Sequence, residues 1–178
     1  MQINDKALLK SAKQRDPGAL AQIYELYSPG IFRYAYRLLS SKQMAEDCVS
    51  DTFLRFLAAI ENQKGPDDYV QAYLYRSAHN WIVDHFGKQP EIDAEIIEDI
   101  TDQKASIESE TEERIRKRKT INALERLTVT QKEIVLLRYG EDLSLKDIAR
   151  IIGKSQGAVK AQLHRAISGL KKELVNEE

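Results

Sequence analysis

Residues 155–174, SQGAVKAQLHRAISGLKKEL, carry side chains suited to binding a polyanion. An apolar stripe with helical spacing runs through this stretch, formed by Val159, Leu163, Ala166, Ile167, Leu170 and Leu174. The opposite side is small or cationic, and no acidic residue occurs between Ser155 and Lys172. A helix face that is only solvated usually pairs acidic with basic side chains. The pattern therefore favours an anionic partner, with an ordinary surface helix as the alternative.

The polar side of this predicted helix is suited to a DNA major groove. We expect Lys160 to contact phosphate, because it is a flexible point charge near the start of the helix. We expect Arg165 to contact a base edge, because its planar guanidinium matches guanine. The full candidate surface comprises Ser155, Gln156, Gly157, Ala158, Lys160, Ala161, Gln162, His164 and Arg165.

Capping residues place this helix second in a helix-turn-helix. Ser144 and Asp147 form a capping box for a short helix, SLKDIARIIG, whose apolar residues are predicted to face inward. Gly153 then supplies a left-handed turn, and Ser155 caps the last helix. Helix, short turn and helix in this order are typical of a DNA-binding motif.

Two more helices are predicted before that motif. One runs through RIRKRKTINALERL, residues 114–127. The next is TQKEIVLLRYG, for which Thr130 and Glu133 fit a capping box and Gly140 fits a terminating residue. The C-terminal third of the chain is therefore predicted to be entirely helical.

The N-terminal half also shows only helical patterns. Asp16 and Pro17 predict the start of a helix over residues 17–28, a break at SPG, and a second helix over residues 31–40. A further helix covers KQMAEDCVSDTFLRFLAAI, with its inward stripe formed by Met44, Cys48, Val49, Thr52, Phe53, Phe56, Leu57 and Ile60. Its exposed side comprises Glu46, Asp47, Ser50, Asp51, Leu54 and Arg55, a solvated surface by default. The predicted fold class is all-α.

The last helix of this half, DDYVQAYLYRSAHNWIVDHFG, is rich in aromatic residues. Its rings belong to Tyr69, Tyr73, Tyr75, Trp81 and Phe86, interleaved with Arg76, His79, Asn80 and His85. Some rings must belong to the core. The mixture with hydrogen-bonding side chains suits stacking on unpaired bases.

Charge divides the chain into three segments. Residues 1–90 carry eleven bases and ten acids, whereas residues 91–113 carry one base and ten acids. Residues 114–178 carry fifteen bases and eight acids, the footprint of a polyanion-binding domain. We therefore predict two small helical domains, 1–90 and 114–178, joined by an acidic flexible linker over 91–113.

Composition excludes several other classes of protein. The single cysteine, Cys48, cannot form an internal disulfide, and the three histidines have no metal-binding spacing. No metal, no cofactor and no catalytic group is expected, and a cytoplasmic location fits the absence of long apolar segments. A response regulator would need a domain that contains strands, and no strand pattern is predicted. A recombinase would need a nucleophile among several arginines, and no such group stands out. A purely structural helical adaptor would not explain why charge is segregated along the chain.

Three segments together resemble the extracytoplasmic-function group of bacterial alternative sigma factors, which are of the sigma-70 type. AEDCVSDTFLRF resembles the helix that binds the polymerase clamp, and AYLYRSAHNWIVDHF resembles the promoter-melting segment. Residues 124–174 resemble the C-terminal promoter-reading domain. The match spans nearly the whole chain in the expected order, which makes it more specific than a helix-turn-helix alone.

The resemblance implies how the chain works. The first domain would bind core RNA polymerase through the exposed side of the clamp-binding helix, formed by Glu46, Asp47, Ser50, Asp51, Leu54 and Arg55. It would capture the single-stranded minus-ten element through Lys64, Asp68, Tyr73, Arg76 and Asn80. The last domain would contact the polymerase flap and read duplex minus-thirty-five DNA. The resemblance also allows an anti-sigma factor as a partner. A helix-turn-helix regulator that acts without polymerase docking is the alternative.

Overall fold

The computed structural model describes residues 5–86 and 112–175, and the regular elements in these ranges are all helical. The N-terminal unit comprises α1 (Asp5–Lys13), α2 (Pro17–Leu39), α3 (Lys42–Glu61) and α4 (Val70–Phe86). The C-terminal unit comprises α5 (Glu112–Glu125), α6 (Val129–Val135), a π-helical turn (Leu136–Gly140), α7 (Leu145–Ile152) and α8 (Gln156–Val175). The all-α prediction is confirmed. Most of the predicted acidic linker lies outside the described residues.

Local capping signals place several helix ends where the sequence predicts them. Asp16 Oδ1 accepts hydrogen bonds from the backbone N–H groups of Gly18 and Ala19, at 2.8 and 3.3 Å, with Pro17 as the first helical residue of α2. Ser144 Oγ accepts from the N–H of Asp147 at 3.1 Å. These bonds satisfy donors that a helix start leaves free, so they depend only on nearby residues.

Helix α2 is continuous, so the predicted break at SPG is wrong. Pro29 lies inside the helix, although it cannot donate the usual backbone hydrogen bond. The face beside it is buried: Tyr27 is 8% exposed and Ile31 is fully buried. Burial of that face stabilises the helix across the proline, which local sequence signals do not report.

The predicted capping box of α6 is also wrong. Thr128 caps this helix, accepting from the N–H of Gln131 at 3.3 Å, while Gln131 Oε1 accepts from the N–H of Thr128 at 3.2 Å. Glu133 is buried, and its carboxylate contacts residues of the N-terminal unit instead. The helix passes into the π-helical turn, and the left-handed residue after it is Asp142 (φ 52°), not Gly140.

The core is continuous between the two units. Helices α2, α3 and α4 pack together, α6 and α7 pack against α8, and α7 packs on α4. One buried cluster includes Leu74 and Trp81 of the N-terminal unit with Ile148 and Val159 of the C-terminal unit. Helix α1, which was not predicted, adds Leu9 and Ala12 to this cluster. The predicted inward residue Leu57 is instead 39% exposed.

Candidate functional site

Helix α8 is oriented as its apolar stripe predicts. Val159 and Ala166 are fully buried, and Leu163, Ile167 and Leu170 are partly buried, whereas the side chain of Leu174 lies outside the described residues. The polar side faces solvent: Ser155, Gln156, Gly157, Ala158, Lys160, Ala161, His164 and Arg165 are exposed. Gln162 is half-buried, and its Oε1 accepts from Gln131 Nε2 at 3.4 Å. A continuous acid-free surface is thus available from the start of α8 to Arg165.

The turn that presents α8 is formed by local hydrogen bonds. Gly153 has a left-handed conformation (φ 67°), and its N–H donates to the carbonyl of Ala149. Ser155 Oγ accepts from the N–H of Ala158 at 3.2 Å. A Cβ at position 157 would meet no atom within 4 Å, so packing within the protein does not require Gly157. The predicted turn at Gly153 and the predicted cap at Ser155 are confirmed.

Helix α4 presents a second exposed stripe. Tyr69, Tyr73, Arg76 and Asn80 follow the spacing i, i+4, i+7 and i+11, which is one face of a helix. Tyr69 precedes the first residue of α4, its carbonyl oxygen accepts a hydrogen bond from the N–H of Tyr73, and its side chain is 66% exposed. Arg76 and Asn80 are exposed, while the half-buried ring of Tyr73 meets Phe56 edge-on at 6.1 Å. Tyr69 was not among the predicted site residues, although its four-residue spacing from Tyr73 is a usable signal.

The other aromatic and histidine residues of α4 have structural contacts. Tyr75 and Trp81 are buried, and the Trp81 ring stacks on that of His85 at 3.8 Å. His79 lies beside Glu133 of the C-terminal unit. The side chain of Phe86 lies outside the described residues. Fewer aromatic side chains of α4 are therefore available to a partner than its composition alone predicts.

The loop before α4 is held by α1. Lys13 Nζ lies 3.0 Å from Asp67 Oδ1, and Lys6 Nζ lies 3.5 Å from Asp68 Oδ1. Arg15 donates to the carbonyl oxygen of Glu61 at 3.3 Å. The predicted site residues Lys64 and Asp68 are both exposed in this loop, close in sequence to the start of the α4 stripe.

Helix α3 presents a largely acidic face with an exposed leucine near one end. Glu46, Asp47, Ser50, Leu54 and Arg55 are exposed, and Leu54 is 65% exposed. Asp51 is half-buried and forms an ion pair with Arg55. Asp47 accepts a hydrogen bond from Gln43 at 3.2 Å. All six predicted residues thus lie along one side of α3.

A groove between α2 and α3 adjoins this face. It has a volume of about 440 Å³, and its walls include Tyr24, Phe32 and Val49 together with Glu46 and Ser50 of the acidic face. Tyr24 is 50% exposed and its ring meets that of Phe53 at 4.8 Å. The groove joins residues from two helices, so a pattern read along one helix could not predict it.

The described residues contain no cluster of three or more metal-binding side chains. Cys48 is fully buried; burial raises the pKa of its thiol to about 12, and its sulfur lies 3.8 Å from the carbonyl oxygen of Ala78. This thiol is therefore neutral near pH 7 and part of the core. Among the helices in the two described ranges, none combines the length and apolar character needed to cross a membrane.

Comparison with known proteins agrees with this layout. Residues 23–90 match the model for sigma-70 region 2, and residues 117–168 match the model for sigma-70 region 4. The chain is 31% identical to the ECF RNA polymerase sigma factor BldN of Streptomyces coelicolor, over 92% of this chain and 63% of that protein. It is 26% identical to the ECF sigma factor SigW of Bacillus subtilis, over 98% of both proteins.

The chain belongs to the ECF sigma factors of the sigma-70 type. Both halves of the sigma factor contribute to this assignment, in the order that the sequence resemblance implied. A helix-turn-helix regulator without polymerase docking is not favoured, because region 2 is present as well as region 4.

Two solved structures share the fold of this sigma factor. CnrH, in complex with the cytosolic domain of CnrY, aligns with a TM-score of 0.71 at 20% identity, covering 99% of this chain and all of that chain. RpoE of Bartonella quintana, in complex with the anti-sigma factor NepR, aligns with a TM-score of 0.67 at 24% identity, covering 89% of this chain and 98% of that chain. These likenesses concern the arrangement of helices.

Proposed function

We propose that this alternative sigma factor binds core RNA polymerase through α3, captures the minus-ten strand through α4 and reads the minus-thirty-five element through α8. The observation that carries the proposal is that these three helices each expose one polar face of distinct chemistry and bury the other side. An acidic face, an aromatic stripe and an acid-free face suit three different partners. The polymerase supplies the catalytic chemistry, and the sigma factor supplies recognition.

The face of α3 suits the clamp helices of the polymerase. Exposed Leu54 supplies an apolar contact beside the charged pair of Asp51 and Arg55, and Glu46 and Asp47 extend the charge along the same side of the helix. An apolar anchor within a charged rim is a common arrangement for protein interfaces. The groove beside Glu46 and Ser50 extends this surface and could receive a side chain of the partner.

The α4 stripe suits single-stranded DNA. The exposed ring of Tyr69 offers a surface on which an unpaired base can stack, and Arg76 and Asn80 offer hydrogen bonds along the same line. Lys64 and Asp68 lie in the loop that precedes this stripe. Asp67 and Asp68 lie beside Lys13 and Lys6 of α1 in solvent-exposed ion pairs, so the loop lies next to α1.

The exposed face of α8 suits a duplex groove. Small residues such as Gly157, Ala158 and Ala161 allow close approach of a nucleic-acid backbone, and Lys160 and Arg165 supply cations. Half-buried Gln162 is partly engaged by Gln131, so it contributes less than the exposed cations.

The remaining assignments follow from this division of roles. We assign residues 1–90 to the polymerase and minus-ten domain, 91–113 to an acidic linker, and 114–178 to the minus-thirty-five domain, which also contacts the flap. A cytoplasmic location follows from the location of core polymerase. An anti-sigma factor is proposed as a regulatory partner, by analogy with the complex of RpoE and NepR.

Co-purification with core polymerase tests the docking surface. Reversal of Asp47 and Asp51 to Lys should abolish core binding without loss of helicity, because it places cations where the partner meets carboxylates. The matched control reverses Glu25 and Asp84, exposed acids on α2 and α4, and should bind core normally. Transcription by the holoenzyme from a promoter library then identifies the promoter. Unchanged core binding by the Asp47 and Asp51 variant would exclude α3 as the docking helix.

A further inference from the structure

Two glutamine side chains link the start of α6 to the proposed DNA-binding face of α8. The N–H of Thr128 donates to Gln131 Oε1 at 3.2 Å, and the N–H of Gln131 donates to Thr128 Oγ1 at 3.3 Å, which closes the capping box of α6. The other end of the same side chain, Gln131 Nε2, donates to Gln162 Oε1 at 3.4 Å. Both glutamines are half-buried where α6 packs against α8. The cap of one helix is therefore connected to a residue that faces the partner of another.

The chemistry of these groups fixes which way each amide points. A backbone N–H can only donate, so the Gln131 atom that faces Thr128 must be the amide oxygen. The Gln131 nitrogen then lies at the other end of the amide and can only donate, so the Gln162 atom that faces it must also be an oxygen. Exchange of oxygen and nitrogen in either amide would set two donors or two acceptors against each other. The backbone of Thr128 thus sets the orientation of Gln162 through Gln131.

The position of Gln162 on α8 makes this orientation matter to DNA. Ala158 lies four residues before it and Arg165 three residues after it, and both are exposed. The side chain of Ala158 ends at Cβ, so it leaves the Gln162 amide uncovered toward a duplex that lies on this face. With its oxygen held by Gln131, Gln162 presents its amide nitrogen, which has two N–H donors and no acceptor.

A donor without an acceptor selects among the four bases. A glutamine with an unrestrained amide pairs with adenine, because it donates to N7 and accepts from the N6 amino group. A donor alone matches guanine and thymine, whose major-groove edges offer only N7, O6 or O4 acceptors. Adenine and cytosine place an amino group in the groove, which a donor cannot satisfy.

We propose that Gln131 is a positioning residue that holds Gln162 as a hydrogen-bond donor, so that Gln162 selects guanine or thymine over adenine or cytosine at one position of the minus-thirty-five element. Gln162 adds less to affinity than the exposed cations of α8, and its contribution is the choice of base. This inference rests on the proposed function of α8 and deepens it by naming the class of base.

Reversal of hydrogen-bond polarity at Gln131 is the sharpest test. Gln131→Glu keeps an oxygen that accepts from the N–H of Thr128, so it preserves the capping box of α6. The second carboxylate oxygen accepts from Gln162, whose amide must then turn and present its oxygen to DNA. The preference at one position should reverse toward adenine or cytosine, with a change of about 3- to 10-fold in relative affinity, the contribution of one hydrogen bond. Damage to α6 alone would weaken binding but would not reverse a preference.

The measurement is binding of holoenzyme to promoter DNA in which each position of the minus-thirty-five element is varied through all four base pairs. The parent promoter is the one that the wild-type holoenzyme selects from a library. Helical circular dichroism checks that each variant is folded. The readout is the ratio of affinities among the four bases at each position, which is independent of the overall affinity of each variant.

Two further variants separate polarity from charge. Gln162→Glu leaves α6 unchanged and makes the residue an acceptor only, so it should favour adenine or cytosine at the same position even if Gln131→Glu does not fold. Val129→Glu adds the same charge at an exposed residue of α6, and residues two apart do not share a helix face. It should weaken binding to all promoters alike and leave every base preference unchanged.

The possible outcomes distinguish this inference from the function on which it rests. A uniform loss of affinity in Gln131→Glu and Gln162→Glu, like that of Val129→Glu, would assign Gln162 to phosphate and overturn the inference. Unchanged preferences at every position in both variants would overturn it as well. In either case, loss of preference at one position by Arg165→Ala would leave the proposed function of α8 intact. A wild-type holoenzyme without base preference anywhere in the element would contradict that function itself.

Discussion

Helices α4 and α8 expose stripes of opposite character. Along α4 the exposed residues include Tyr69, Arg76 and Asn80, whereas α8 exposes Gly157, Ala161 and Lys160 at its start. An unpaired base needs a flat partner on which to stack, and a duplex needs a surface that its backbone can approach closely. Under the proposed function, the aromatic stripe of α4 therefore suits single-stranded DNA and the small, cationic face of α8 suits a duplex.

The largest expected effect concerns the aromatic stripe. Tyr69→Ala should reduce promoter opening roughly 5- to 150-fold, since loss of stacking costs about 1–3 kcal/mol per base. Permanganate reactivity of unpaired thymines in the minus-ten element measures the effect. Tyr139→Ala is the matched control, because Tyr139 is 64% exposed in the C-terminal unit. If Tyr69→Ala opens promoters like the control, the α4 stripe does not stack on DNA.

The next effect concerns a single base pair. Arg165→Ala should cost about 1–3 kcal/mol at one position of the minus-thirty-five element and little elsewhere, because a bidentate contact to guanine reads one base. Arg165→Lys keeps the charge but loses the planar fork, so it should lose the same preference. Holoenzyme binding to promoters varied across the element is the measurement. A uniform loss at every position would reassign Arg165 to phosphate.

The two stripes differ in how far the sequence predicts them. The α8 stripe follows from local signals, since Ser155, Gly153 and the Val159 spacing each act within a few residues. The α4 stripe is only partly predictable, because Tyr75, Trp81 and His79 are also aromatic or hydrogen-bonding residues of this helix but are buried or half-buried. Whether such a side chain is buried depends on which helices pack against α4, and the composition of α4 does not identify those helices.

The errors in the fold prediction have the same origin. Glu133 fits a capping box by spacing, yet its partners Tyr34 and His79 are 99 and 54 residues away in sequence. Pro29 is a helix breaker by local rules, yet packing of the surrounding face keeps α2 continuous. The caps at Asp16, Ser144 and Ser155 could be predicted from nearby residues, although the cap of α6 was predicted at Thr130 and lies at Thr128. Contacts between helices that are far apart in the sequence could not be predicted.

A smaller effect tests whether close approach explains Gly157. Gly157→Ala should stabilise the protein by up to about 1 kcal/mol, because glycine is a poor helix former and a Cβ there meets no protein atom within 4 Å. The same change should weaken binding to minus-thirty-five duplex if the DNA backbone approaches this position closely. Gly169→Ala, in the same helix with Leu127 at 3.9 Å, should leave DNA binding unchanged. Urea unfolding and duplex binding are the two measurements, and improved binding by Gly157→Ala would contradict close approach.

The smallest effect separates phosphate contact from base contact on the α8 face. Lys160→Ala should weaken binding to all promoters alike and reduce the slope of log affinity against log salt by about one unit, because one fewer counterion is released. Lys171→Ala, an exposed lysine in the second half of α8, should leave the slope unchanged. The measurement is holoenzyme binding to two promoters at several salt concentrations. A loss confined to one promoter would make Lys160 a base-reading residue, and the small, cationic start of α8 would then select sequence as well as position the duplex.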